Sequence, residues 1–189
     1  LSALLLTVCL FTLAPAATSI AQEDNQPPKG FTALFNGKDF KDWTGGATRD
    51  PREIAALPAA EREKHDAEMK RGIVEHWKVE NGELVSDGHE PYLATPRDYR
   101  DFELWVDWKI NANGDSGIYL RGTPQVQIWD PSGESSKKHG ADKGSGALWN
   151  NKKHERFPPE VADKPLGEWN RMYIRMVGEH VTVVLNDKK

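Results

Sequence analysis

Phe102-Glu103-Leu104-Trp105-Val106-Asp107-Trp108-Lys109-Ile110 alternates apolar and polar residues without a break. Successive side chains of a strand point to opposite faces, so Phe102, Leu104, Val106, Trp108 and Ile110 share one side, and Glu103, Trp105, Asp107 and Lys109 the other. The stretch reads as a strand with one face in a core. Partners follow at residues 117–121 and 125–129, and the nearly all-apolar stretch 181–185 ends in an Asn186-Asp187 turn. Turn chemistry recurs at Asn81-Gly82, Asp87-Gly88, Asn113-Gly114, Pro131-Ser132-Gly133 and Gly178-Glu179. Short strands at that spacing predict an all-β sandwich of two antiparallel sheets.

Residues 1–21 are uncharged, with an apolar run at 4–13, a break at Pro15, and Ser19 and Ala21 at the positions a signal peptidase inspects. They read as a signal peptide cleaved before Gln22, with a membrane anchor as the lesser alternative. Cys9 lies inside the apolar run and is followed by Leu10 and Phe11 rather than by polar residues, which speaks against lipidation. After cleavage no cysteine remains, so the core must hold the domain without disulfides. The expectation is an exported protein, periplasmic or extracellular, with no stable membrane span. Residues 22–29 form a Pro-containing linker and residues 30–189 one domain.

Within that domain Phe31, Leu34 and Phe35 suggest a short first strand running into an Asn36-Gly37 turn. Residues 50–72 change in kind. Asp50-Pro51 and Pro58 are helix-start signals, Gly72 a stop, and one or two short helices are expected as an insertion over a sheet edge or mouth. Because the chain ends just after the Asn186-Asp187 turn, a returning strand is expected beyond it, and the sandwich reads as C-terminally truncated. A net charge of −4 with scattered basic residues argues against nucleic acid as a partner. Seven Trp residues exceed what packing ordinarily needs and point towards sugar rings.

The segments GFTALFNGKDFKDW (30–43), DFELWVDW (101–108), GDSGIYLRG (114–122), QVQIWD (125–130) and GEWN (167–170) together resemble the 3-keto-disaccharide hydrolase domain family, in order and in spacing. The resemblance implies a concanavalin-like jelly roll and activity on glycosides oxidised at carbon 3. A departure falls at Gln125, where many family members carry Glu; an amide cannot act as acid, base or nucleophile. A 3-keto group acidifies the proton on carbon 2, so cleavage can run by proton abstraction, expulsion of the anomeric substituent and addition of water. That route needs one base and one stabiliser of negative charge.

The residues themselves leave several roles open. Glu103 and Asp107 are two carboxylates on one strand face about 13 Å apart, too far for an ordinary glycosidase pair at about 5–10 Å, and a solvated outer face explains them equally well. Arg121 would project beside Tyr119, opposite Ile118 and Leu120, to hold an enolate or sugar hydroxyls, or would pair with Asp107. Gln125, Gln127 and Trp129 share a polar side suited to hydroxyl recognition, with Trp105 as a further platform. Asp130 is either a turn cap or a site carboxylate. Asp115 and Ser116 read as turn caps. His139 and His154 lie in a long loop, 131–154, as bases, metal ligands or merely solvated groups.

The candidate base is therefore Asp107, Glu103, Asp130 or His139, with Arg121 stabilising charge and Tyr119, Gln125, Gln127, Trp129 and Trp105 binding substrate. No cofactor is assigned. A divalent metal is the open alternative, with its ligands unspecified. The substrate is an oligosaccharide or 3-keto-glycoside. The rival from another class is a noncatalytic carbohydrate-binding module using Trp129, Trp105, Gln125 and Gln127. A two-carboxylate glycosidase loses ground for want of a Glu-x-Asp-x-Glu strand.

Overall fold

The computed structural model describes residues 26–189, so the segment read as a signal peptide lies outside the described residues. Strand β1 (Thr44–Gly46) precedes two helices, α1 (Pro51–Ala55) and α2 (Ala59–His76). Then come β2 (Trp77–Glu80), β3 (Glu83–Ser86), β4 (Tyr92–Ala94), β5 (Phe102–Trp108), β6 (Asp115–Tyr119) and β7 (Gln125–Trp129). After a short helix α3 (Glu134–Lys137) and a 3-10 turn at Ala141–Lys143, β8 (Asn170–Val177) and β9 (His180–Leu185) close the order. The chain is mostly strands in antiparallel sheets.

Two of those sheets enclose the core. One has the order β5-β8-β9, the other is the β6–β7 hairpin. Trp108, Met172, Ile174, Met176 and Leu185 from the first meet Leu120, Val126 and Ile128 from the second in one buried cluster, with Phe102, Leu104 and Val106 packed against it. The alternation read from β5 is thus obeyed. The opposite face of β5 is solvated, as its charges require, and register pairs Glu103 with Arg175, Trp105 with Tyr173 and Asp107 with Arg171.

Leu148 bridges Val126 on the core side, and Trp149 donates its N–H to the Gln125 carbonyl at 3.0 Å. Residues 146–149 thereby run along the free edge of β7. Gln127 engages both Gly146 and Ala147, as donor to the Ala147 carbonyl and acceptor from the Gly146 N–H, the two-against-one count of a bulge.

Three local expectations are corrected. Residues 31–35 form no strand, and the first strand is β1. The Asn36-Gly37 turn does form, because the Asn36 carboxamide accepts from the N–H groups of Lys38 and Asp39. Gly72 does not stop the helix, since α2 continues to His76. It is instead a point of close approach: a Cβ there would sit 2.4 Å from Pro91 Cδ. Finally, β6 begins and ends two residues earlier than read, at Asp115 and Tyr119. Arg121 (φ 49°) and Gly122 (φ 87°) occupy the turn into β7, the paired positive φ values of a type I′ hairpin.

At the far end Asn186 (φ 48°) and Asp187 (φ 67°) make a turn of the same kind after β9, and Leu185 and Lys188 exchange backbone hydrogen bonds across it.

Candidate functional site

The face of the β6–β7 hairpin turned away from the core carries the most distinctive side chains. Register places Tyr119 opposite Gln125, Gly117 opposite Gln127 and Asp115 opposite Trp129. Trp149 follows on the other side of Gln125, through the edge pairing of residues 146–149. Tyr92, from β4, packs on Tyr119 with ring centroids 5.8 Å apart. The result is a strip, Tyr92, Tyr119, Gln125, Trp149, in which an amide lies between aromatic rings. Tyr92 and Tyr119 remain 37% and 38% exposed, so rings are available to a ligand. The Gln125 side chain crosses Gly117, where a Cβ would come within 2.4 Å of its Nε2; glycine at 117 makes that crossing sterically allowed.

Beyond Gln125 the face dives under the long loop. Trp129 is 1% exposed, and its indole N–H donates to the Gly144 carbonyl at 2.8 Å. Gln127 is 3% exposed, and its Nε2 donates to Asp115 Oδ1 at 2.6 Å and to the Ser116 carbonyl at 2.9 Å. Both expectations of direct sugar contact are corrected by burial: these side chains brace the strip from beneath. Trp129 meets Trp149 edge to face at 5.6 Å. His139, exposed, approaches the same Trp149 ring edge-on at 5.7 Å. The Arg156 guanidinium lies over Trp149 at 4.6 Å and donates to the Trp149 carbonyl at 2.9 Å.

The remaining sequence candidates go elsewhere. Glu103, Trp105 and Asp107 lie on the outer face of the other sheet, across the core from this strip. Asp107 takes a two-pronged hydrogen bond from Arg171 (2.8 and 2.7 Å), and Glu103 lies 3.8 Å from Arg175. Between them Trp105 and Tyr173 rings stand 4.8 Å apart. Burial first, then a hydrogen bond with Glu103, pushes the Tyr173 hydroxyl upward. These carboxylates stand on a solvated face beside arginines, because strand alternation cannot send them to the same side as Gln125 once the intervening apolar residues fill the core.

Arg121 does not stand beside Tyr119 on a strand, nor does it pair with Asp107. From its turn it donates to the carbonyls of Arg100 and Gly178, tying the hairpin to the end of the three-stranded sheet. Asp130, 2% exposed, accepts from the Asn113 N–H at 2.8 Å and from the Ser132 N–H and hydroxyl at 2.8 and 2.6 Å. The Ser132 hydroxyl, then the Asn113 N–H, hold its carboxyl below the usual aspartate range. It is the turn cap of the two roles left open. Asp115 holds Gln127 rather than a turn.

Tyr92, Trp149 and Arg156 were missed in the sequence. Trp149 sits in a loop by composition, and only its edge pairing to β7 turns it onto this face. Tyr92 is brought there by β4 and Arg156 by a long excursion, neither of which leaves a periodic signal.

The sequence profile of a family described as the 3-keto-alpha-glucoside-1,2-lyase-like domain matches residues 30–189. A 3-keto-disaccharide hydrolase from Bacteroides thetaiotaomicron is 25% identical over 184 residues; the match takes in 84% of this chain and 57% of that protein, so the chain spans little more than half its relative's length. Among solved structures, a candidate glycosyl hydrolase from Parabacteroides distasonis superposes with a TM-score of 0.60 at 24% identity, over 87% of this chain and 75% of that one. A second such protein from the same organism gives 0.53 at 29% identity, over 61% of each chain. On this profile match, and with an antiparallel fold shared with solved proteins, the chain belongs to the 3-keto-alpha-glucoside-1,2-lyase-like domain family.

Proposed function

We propose that the chain binds a glycoside oxidised at carbon 3 along the Tyr92–Tyr119–Gln125–Trp149 strip of a jelly roll and cleaves it, with water consumed overall. The observation that carries this reading is the strip itself: an amide able to donate and accept, set between the exposed Tyr119 ring and the half-buried Trp149 ring, in a chain of this family. Glu103 and Asp107 lie across the core from the strip, each beside an arginine, so this reading draws no carboxylate pair from them. A single base suffices for a 3-keto sugar. His139, beside Trp149, takes the proton from carbon 2; the electron pair moves into the enolate and then expels the anomeric oxygen, which leaves with a proton. Water adds across the resulting double bond, hydroxyl to carbon 1 and proton to carbon 2, and gives the free 3-keto sugar. Arg156, stacked on Trp149, supplies positive charge at that end.

The test is release of aglycone from a synthetic 3-keto-glucoside beside its unoxidised parent. The oxidised sugar should turn over and the parent should not. His139→Ala should lower kcat at least 100-fold, within the usual range for general-base loss, while Trp149→Ala should chiefly raise KM. Equal cleavage of both sugars, or unchanged kcat in His139→Ala, would overturn the mechanism. One observation favours a noncatalytic sugar-binding module instead: the amide of Gln125 stands at the centre of the strip. Binding of the oxidised sugar without release of aglycone decides for that module. The uncharged apolar segment 1–21 supports export to the periplasm or beyond. Among the described residues no helix is long and apolar enough to cross a membrane.

A further inference from the structure

At the C-terminal end of α2, beside the segment that leads into β4, three side chains converge that the sugar chemistry does not employ. His76 is the last residue of the helix, and Asp87 and His89 follow β3. The ends are brought together by the β2–β3 hairpin, whose register returns Ser86 opposite Trp77, and by a hydrogen bond from the Asp87 N–H to the His76 carbonyl at 3.2 Å. His76 Nδ1 lies 3.0 Å from Asp87 Oδ2, and His89 Nδ1 lies 3.1 Å from Asp87 Oδ1. The two imidazole rings flank the carboxylate with centroids 5.3 Å apart.

We propose that His76, Asp87 and His89 form a binding site for a divalent first-row transition ion, with Zn²⁺ as the occupant that suits it best. One ligand atom from each residue lies within 4.8 Å of the others. Ligand atoms sharing a tetrahedral zinc at ordinary bond lengths stand about 3.3 Å apart, so small rotations of the exposed Asp87 and His89 side chains around the half-buried His76 admit the ion. Two imidazoles and one carboxylate favour zinc over magnesium or calcium, which prefer all-oxygen shells. Three protein ligands leave a fourth position for water.

A further feature points the same way. The other ring nitrogen of His76, Nε2, stands 4.0 Å from a Glu75 carboxylate oxygen. With the ion on Nδ1 the ring proton resides on Nε2; at 4.0 Å the Glu75 carboxylate makes no hydrogen bond to it, and a rotation of that exposed side chain would bring it to the place of the outer partner of a metal-bound histidine. The proposed ion would join the end of α2 to the chain that leads through Pro91 to β4, and thus to Tyr92 of the strip. Its binding is independent of the sugar reading.

The experiment is calorimetric titration of the full chain with Zn²⁺, paired with thermal melting. One equivalent should bind and raise Tm, with Mg²⁺ and Ca²⁺ giving no shift. His89→Ala removes a ligand whose side chain is largely exposed, so its metal-free Tm should match wild type while zinc affinity falls at least tenfold. Asp87→Asn should weaken zinc similarly, and Co²⁺ in the wild-type chain should give the visible absorption of a four-coordinate site that His89→Ala lacks. Zinc affinity within twofold of wild type in His89→Ala, or zinc binding abolished instead by His139→Ala, would overturn the proposal and leave the cluster as a surface ion pair.

Discussion

Arg121 shows how one backbone angle redirects a side chain. A residue in the left-handed region of a hairpin turn leaves the strand's alternation, so its guanidinium reaches main-chain carbonyls of the neighbouring sheet rather than the strip. Arg121→Lys keeps the charge but loses the planar fork. It should lower Tm while leaving kcat per folded molecule within twofold of wild type, checked by melting beside active-fraction kinetics. Asp130 gives the pH signature of a cap. Its folded pKa is depressed, so its stabilising bonds are fully present above the unfolded value and are lost as pH falls through the lower, folded one. Asp130→Asn should therefore cost roughly 1–3 kcal/mol at neutral pH. The gap between wild type and variant should narrow only below about pH 4, as followed by denaturant unfolding across pH.

At the scale of elements, α2 and the edge of β7 carry the departures from simple patterning. Gly72 is needed inside the helix because Pro91 packs against it, so Gly72→Ala, favourable by propensity alone, should cost about 1–3 kcal/mol through overpacking. Val74, 78% exposed on the same helix, is the control: Val74→Ala should be neutral or slightly stabilising in the same unfolding assay. On the outer face of β5, Asp107 and Arg171 are both about half exposed and gain little from their bond. Asp107→Asn should change stability by no more than about 1 kcal/mol, and an effect on sugar turnover would show that this face, not the strip, meets substrate.

For the molecule as a whole, the shared core is what places the strip. Met172, on the central strand of its sheet, is fully buried in the cluster that joins both sheets. Met172→Ala should cost about 2–5 kcal/mol. Because the two sheets share that core, loss of the far-ultraviolet β signal and of tryptophan fluorescence should remain coincident in urea; separate transitions would show that the sheets unfold independently. A substitution in the core, on the side of β7 away from the strip, should alter activity only through the folded fraction.

The residues of β5 and β7 determined by themselves that the chain is β with one face buried, because period-two alternation survives any tertiary arrangement that buries one face. They also determined that Glu103 and Asp107 stand opposite the core side, and that Gln125, Gln127 and Trp129 share a face. Only the tertiary structure decided which of those faces stays open. The long loop closes over Gln127 and Trp129, whose N–H groups it satisfies, yet leaves Tyr119 exposed and adds Trp149 beside Gln125. The same holds for Tyr92, and for the meeting of His76 with Asp87 and His89. Such juxtapositions depend on contacts between segments far apart in the chain, and local periodicity carries no record of them.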